Sequence, residues 1–249
     1  MNLSAEHVAA VAVAPFIGSF LSVLAVRLPA GAPVVFARSK CPSCGHVLGP
    51  ADLAPLLSWL WRRGRCRSCG GRISAFYPAM EIAAAGVALW AAFLLDGWLF
   101  WVTCALGWTL LALAAMDIRD FVLLDVLTLP LLLAGLGVIA LLDRGRLPAH
   151  LVGAVAGFAV LYGLNALYRR IRGREGLGLG DAKLLAAAGA WLGWEGLPSV
   201  LLLAAAAALA GAGLARLAGR SVRASDPVPF GAFLTLGFWC VWLYGPLMI

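Results

Sequence analysis

Two kinds of residue in this 249-residue chain could do chemistry, and they sit in different surroundings. The first is cysteine. Cys41 and Cys44 form one C-x-x-C pair, Cys66 and Cys69 form a second, and 21 residues (45–65) lie between them. Each pair runs into a glycine, Gly45 or Gly70, which permits the tight turn that lets two sulfurs converge on one tetrahedral ion. Two such knuckles make a four-cysteine zinc site. All four positions are sulfur, so no place is left for a metal-bound water, and the zinc is expected to hold structure rather than to catalyse. Disulfides or a thioredoxin-like redox pair are the competing readings. The flanking Arg and Lys residues favour the thiolates that a metal requires. His46 reads as a solvated loop residue, and Cys104 and Cys240 as small buried hydrophobes within apolar runs.

The second kind is aspartate where aspartate is costly. A carboxylate in a membrane-spanning helix costs about 2.5–3.5 kcal/mol on insertion scales, so each one invites a functional account. One cluster, MDIRDFVLLD, holds Asp117, Asp120 and Asp125, and another, GLGLGDAKLL, holds Asp181. A pair of carboxylates can split a peptide bond with water when one is ionised and one protonated at the same pH. The ionised member activates water and the protonated one polarises the scissile carbonyl. Gly176, Gly178 and Gly180 ahead of Asp181 remove side chains where a substrate must come close to backbone. Three blander accounts stand beside this one. Asp125 or Asp181 can cap a helix, Asp120 can be a solvated interfacial residue, and intramembrane acids can carry ions or protons. The residues alone leave these open.

The elements that must position these groups are membrane helices. The chain is 63% hydrophobic and 12% charged, with a mean hydropathy of +0.94. Ordinary soluble domains run near 45–50% apolar and about 25% charged, and one globule cannot hide so much apolar surface. Eight apolar runs approach the length of about 20 residues that a span needs, near 5–27, 79–95, 98–116, 122–142, 149–168, 182–196, 197–216 and 229–247. The sixth and seventh are the weakest, with Glu195, Gly196 and Pro198 marking the turn, and a seven-span arrangement with one re-entrant piece is the alternative. The first run has no basic residue ahead of it and reads as a retained span.

Lys/Arg placement sets the orientation. Arg27, Arg38, Lys40, Arg62, Arg63, Arg65, Arg67 and Arg72 fall at or between spans one and two. Arg119 lies between three and four, Arg169, Arg170, Arg172, Arg174 and Lys183 around five and six, and Arg216, Arg220 and Arg223 between seven and eight. The other side has only Arg144 and Arg146. The cysteine segment and both aspartate clusters therefore face the cytoplasm, where stable disulfides are rare, with both termini outside. The net charge of +7 follows this orientation pattern rather than a nucleic-acid-reading face, so no nucleic acid is expected as a partner; the lipid bilayer is. The expected fold is all-α, a polytopic membrane protein of about eight transmembrane helices with a small cytoplasmic zinc-binding lobe. Its parts are a first helix (1–27), the lobe (28–78) and a membrane core (79–249).

These residues resemble the prepilin peptidase (type IV leader peptidase) family over nearly the whole chain. GSFLSVLAVRLP (18–29), SKCPSCGHVL, GRCRSCGGRISAFYP with Glu81, MDIRDFVLLDVLTLP, and GLGLGDAKLLAAAGAWLG look like its motifs in order. The resemblance implies a G-x-G-D aspartyl protease with Asp117 and Asp181 as catalytic residues, and Asp120 and Asp125 outside the pair. It implies a bacterial inner-membrane location and type IV prepilin or pseudopilin substrates, cut after a Gly that ends a short basic leader. It also implies methylation of the new N-terminus from S-adenosylmethionine, an activity uneven across the family; Glu81 and the lobe–membrane junction are where that activity is expected. Leu124 and Ser22 depart from the family's usual Pro and Asn. Rival functions are a membrane transporter or proton channel, which leaves the cysteine knuckles unexplained, and a non-catalytic scaffold.

Overall fold

The computed structural model describes residues 4–173, 178–219 and 227–247. Arg174, Gly176, Arg220 and Arg223 lie outside them, as does the side chain of Arg172. The described residues are helical, with no strand beyond two isolated bridges. Each of the eight expected spans coincides with a helix. The chain is an all-helical, multi-pass membrane protein. It divides into two compact units, residues 1–112 and 113–249.

In the first unit, α1 (Ala5–Arg27) starts at Ser4, whose hydroxyl accepts from the His7 N–H while His7 Nδ1 accepts from the Ser4 N–H. Its buried stripe is mostly small: Ala10, Ala14, Gly18, Ser22 and Ala25. This stripe packs along α3 (Phe76–Ala92), which offers Met80, Ala84, Ala88 and Ala91. Lipid gives packed helices no hydrophobic gain over contact with lipid tails, so close backbone approach must supply the attraction, and small residues permit it. Gly18 marks the tightest point, since a Cβ there would lie 2.5 Å from the Met80 carbonyl. Between the two helices sits the lobe, with a 3-10 turn at Pro50–Asp52 and the short α2 (Leu57–Trp61). Arg27 ties the chain leaving α1 by donating to the carbonyls of Ala37 (2.7 Å), Pro33 (3.2 Å) and Arg38 (3.3 Å). α4 (Gly97–Asp120) follows, and the division between units falls within it.

In the second unit, α5 (Asp125–Leu142), α6 (Leu147–Arg172), α8 (Leu197–Leu217) and α9 (Phe230–Tyr244) accompany the shorter α7 (Leu179–Leu192). α1, α4, α5, α6 and α8 belong to stretches long and apolar enough to cross a membrane. α3 and α9 are shorter apolar helices of 17 and 15 residues. α7, the expected sixth span, has only 14 residues, about 21 Å of helix against a hydrocarbon core of about 30 Å. It ends at Gly193, whose φ of +75° breaks the helix before a 3-10 turn at Trp194–Gly196. Ten of its fourteen residues are buried, and it packs chiefly against α6, α5 and α9. Gly153 and Gly157 of α6 bring the backbones together: a Cβ on either would lie 2.6 Å from Gly189 O or 2.5 Å from Leu185 O. Trp191 Nε1 donates to Leu131 O at 2.8 Å, its ring laid on Gly135 of α5. The turns Arg144–Arg146 and Trp194–Gly196 meet through Arg146 and Glu195 at 3.4 Å, which puts them at one end of this unit.

Candidate active site and cysteine cluster

At the other end of the second unit, the last turn of α4 and the starts of α5, α7 and α9 converge. Asp117 and Asp181 are both buried and both line one cavity of about 310 Å3, with Phe121, Leu123, Gly178, Gly180 and Phe230 among its walls. Asp117 lies in the last turn of α4, which ends at a left-handed Phe121 (φ +54°). Asp181 occupies the third position of α7 and accepts the Gly178 N–H through Oδ2 at 3.2 Å. The capping account of Asp181 thus holds from inside the helix, and it leaves the other carboxylate oxygen free of that bond. Gly180 makes room for Leu123: a Cβ there would lie 2.8 Å from the leucine's own. That glycine thus serves packing between segments of the chain as well as lining, with Gly178, the cavity of the two acids, where the sequence suggested close approach of a substrate.

The start of α9 supplies what sequence reading did not assign. The Ala232 N–H donates to Asp117 Oδ2 at 2.8 Å, and a Cβ on Gly231 would lie 3.0 Å from the Asp117 carboxylate. A helix N-terminus presents unpaired N–H groups and a partial positive charge, so it orients an acid held against it. The signal was visible as Pro227, Pro229 and Gly231 ahead of an apolar run, which marks a helix start but not what it faces.

The other two acids of the first cluster stand apart. Asp120 is exposed, in line with the solvated reading. Asp125 is not the N-cap of α5. Leu124 holds that position without a side-chain bond, and Asp125 is the first helical residue. Its carboxylate is drawn to Lys183 of α7, whose Nζ lies 2.6 and 2.7 Å from the two oxygens.

In the first unit the four cysteines converge. The Sγ atoms of Cys41, Cys44, Cys66 and Cys69 all lie within 4.8 Å of one another, and all four are free thiols. The two knuckles repeat one geometry. Gly45 (φ +70°) and Gly70 (φ +69°) turn the chain, their N–H groups donating to the Cys41 and Cys66 carbonyls. The bridges Lys40–Val47 and Arg65–Arg72 close each loop. Backbone N–H groups of Cys44 and Ser43 bring the Cys41 thiol down to about 6. At Cys44 the His46 N–H pulls downward, but burial and the neighbouring thiols push it up to about 12. Crowded sulfurs of this kind can hold a metal ion, whose charge relieves their mutual repulsion. Four sulfurs at about 2.3 Å from a tetrahedral centre stand about 3.8 Å apart, and Cys41 and Cys69 are separated by 3.8 Å. His46 is exposed and outside the cluster. Cys104 is buried as expected, whereas Cys240 is only half-buried.

Residues 12–95 match the Bacterial Peptidase A24 N-terminal domain, and residues 104–213 match the Type IV leader peptidase family. The chain belongs to the type IV leader peptidase family. Relatives named "Prepilin leader peptidase/N-methyltransferase" include one from Aeromonas hydrophila, 44% identical over 210 residues, covering 84% of this chain and 72% of the relative. One from Burkholderia pseudomallei (strain 1026b) is 42% identical over 248 residues, covering 89% and 80%. One from Pseudomonas aeruginosa is 35% identical over 267 residues, covering 92% and 87%. No solved structure matches the chain.

Proposed function

We propose that this protein is a prepilin leader peptidase that cuts the basic leader from type IV prepilins or pseudopilins, with Asp117 and Asp181 as its catalytic pair. The observation that supports the pair is their burial at one cavity, each carboxylate held by a backbone N–H from a helix start. Such fixed donors leave the remaining oxygens to act on water and on a scissile carbonyl. The ionised aspartate takes a proton from water, and the protonated one donates to the carbonyl oxygen as the tetrahedral intermediate forms. Roles then reverse as the leaving amine collects its proton. Asp125, tied to Lys183, is outside this chemistry.

The protein lies in the bacterial inner membrane with its lobe in the cytoplasm, as the Lys/Arg distribution favours. It comprises a first membrane helix (1–27), the lobe (28–78) and a protease core (79–249). Zinc is the metal for Cys41, Cys44, Cys66 and Cys69, since four thiolates without an open position suit a structural zinc. The relatives' shared name favours a second activity, transfer of a methyl group from S-adenosylmethionine to the new N-terminus. A purified prepilin incubated with the wild-type protein, Asp117→Asn and Asp181→Asn tests the peptidase reading. Only the wild type should release the leader, and cleavage by either variant at the wild-type rate would overturn the assignment.

A further inference from the structure

The connection between α4 and α5, residues 122–124, belongs to no helix, and it lines the cavity of the two acids through Val122 and Leu123. Leu123 runs between the supports of both carboxylates. A Cβ on Gly180, the residue before Asp181, would lie 2.8 Å from Leu123 Cβ. One on Gly231 would lie 2.8 Å from Leu123 Cδ1 and 3.0 Å from Asp117 Cγ. The base of this side chain is thus set against the start of α7, and its tip against the start of α9, beside the Asp117 carboxylate.

Two positions on two helices have given up a Cβ to this one leucine, and each stands at the helix start that holds an acid. Leu123 is therefore in contact with backbone on two sides, and close packing leaves it little room to withdraw. The peptide bond to be cut must reach both carboxylates, so it has to pass this side chain. The Cβ of the residue that supplies the scissile carbonyl is one bond nearer the attacked carbon than the Cβ of the residue that follows. It is the first substrate side-chain atom to meet a wall set between the acids. The remaining walls offer no relief, since Phe121, Leu179, Val228 and Phe230 are themselves bulky.

We infer that Leu123 is a specificity-determining residue: it fills the space a side chain would need on the residue supplying the scissile carbonyl, and so admits glycine there and refuses alanine or anything larger. This deepens the peptidase reading and rests on it. A substrate with a Cβ at that point must either displace Leu123 or stand back from the acids, and a small retreat of the carbonyl is enough to lose the geometry of attack. Refusal of a single methyl group in an apolar site amounts to about 10- to 200-fold in kcat/KM.

The test sets two prepilins, alike except for glycine or alanine before the cut bond, in competition for full-length protein in detergent. Mass spectrometry of the two mature products reads the ratio of kcat/KM directly, and partial misfolding of a variant drops out of that ratio. Wild type should favour the glycine prepilin at least about tenfold. Leu123→Ala should still cut the glycine prepilin and bring the ratio within about threefold of unity. Leu123→Val shortens the tip at Gly231 while keeping the base at Gly180, and should fall between the two. Leu123→Met, close to leucine in volume, should keep the wild-type preference. A leucine that only supports the fold would slow both substrates alike. An unchanged ratio in Leu123→Ala, or in Leu123→Val should the alanine variant be inactive, overturns the assignment. So does loss of the glycine prepilin's cleavage in both variants, or a wild type that cuts both prepilins equally well. A wild type that cuts neither refutes the peptidase reading itself.

Discussion

Replacing Gly231 with alanine tests whether the start of α9 holds Asp117 in a working position. The new methyl would lie 2.8 Å from Leu123 Cδ1 and 3.0 Å from both Cγ and Oδ2 of Asp117, where ordinary contact begins at 3.4 Å. Something must give by roughly half an ångström, which is the scale on which catalytic geometry fails. The 2.8 Å bond from the Ala232 N–H stretches or breaks as the carboxylate retreats. A hydrogen bond to a charged group contributes about 1.5–3 kcal/mol, so kcat should fall about 10- to 150-fold with KM little changed. The fold should survive, since the three opposing atoms belong to two side chains, Leu123 and Asp117, that can rotate. Gly237, further along α9, supplies the contrast. A Cβ there would lie 2.6 Å from the Val200 carbonyl of α8, so alanine must push the α8 and α9 backbones apart and should cost about 1–3 kcal/mol of stability. The assay is prepilin cleavage in matched detergent beside thermal unfolding. If Gly231→Ala cleaves like wild type, the α9 N-terminus does not position Asp117, and the role assigned to the Ala232 N–H is wrong.

Further expectations concern the pair, the metal and the topology. Asp117→Asn and Asp181→Asn should each remove nearly all cleavage, and the double variant should lose no more than either, because the two act as one unit. The wild-type pH–rate profile should be bell-shaped, since activity needs one carboxylate ionised and one protonated; a monotonic profile through both limbs would contradict the pair. Asp125→Asn should lower stability by less than about 1 kcal/mol and keep most cleavage, because its ion pair with Lys183 is partly exposed. Metal analysis of reduced protein should find about one zinc per chain, and Cys41→Ser or Cys66→Ser should lose it and loosen the lobe; a zinc-free, folded wild type would refute the assignment. A single cysteine introduced at Gly145 should label from outside the cell and one at Gly173 only from inside, and labelling of both from one side would overturn the orientation.

The helices were legible because apolar length is a property of local sequence. What was not legible depends on partners distant along the chain. Asp125 reads as an N-cap from its own neighbours, yet Lys183, 58 positions away, takes its carboxylate. Gly180 reads as space for a ligand and does line the cavity, yet its lack of a Cβ is also demanded by Leu123, 57 positions earlier. The run 182–196 reads as a span by composition, but Gly153, Gly157 and Gly189 let α6 press on α7 and enclose it, so α7 need not reach across the bilayer to satisfy its surroundings. The roles of the Gly231 and Ala232 backbone were hidden for the same reason, since an N–H has no sequence signature of its own. Asp117 and Asp181 could be picked out, because an acid in an apolar run is conspicuous wherever it ends up.

The shortness of α7 and the burial of its acid belong to one design. A helix of about 21 Å inside a membrane of about 30 Å must stop below the surface at one end or the other. Its last residue leads within two positions into the charged turn at Trp194–Gly196, so the short end is its first turn, whose N–H groups lie at membrane depth, where lipid cannot satisfy them and protein or water must. The Asp181 carboxylate meets one of those needs through Gly178, and the cavity it shares with Asp117 provides room for water to meet others. The second need at the site, a donor for Asp117, is met by another helix start, that of α9. Two truncated helix ends thus create the one thing hydrolysis of a membrane-anchored chain requires and a lipid-filled interior withholds, a wet polar chamber with fixed carboxylates.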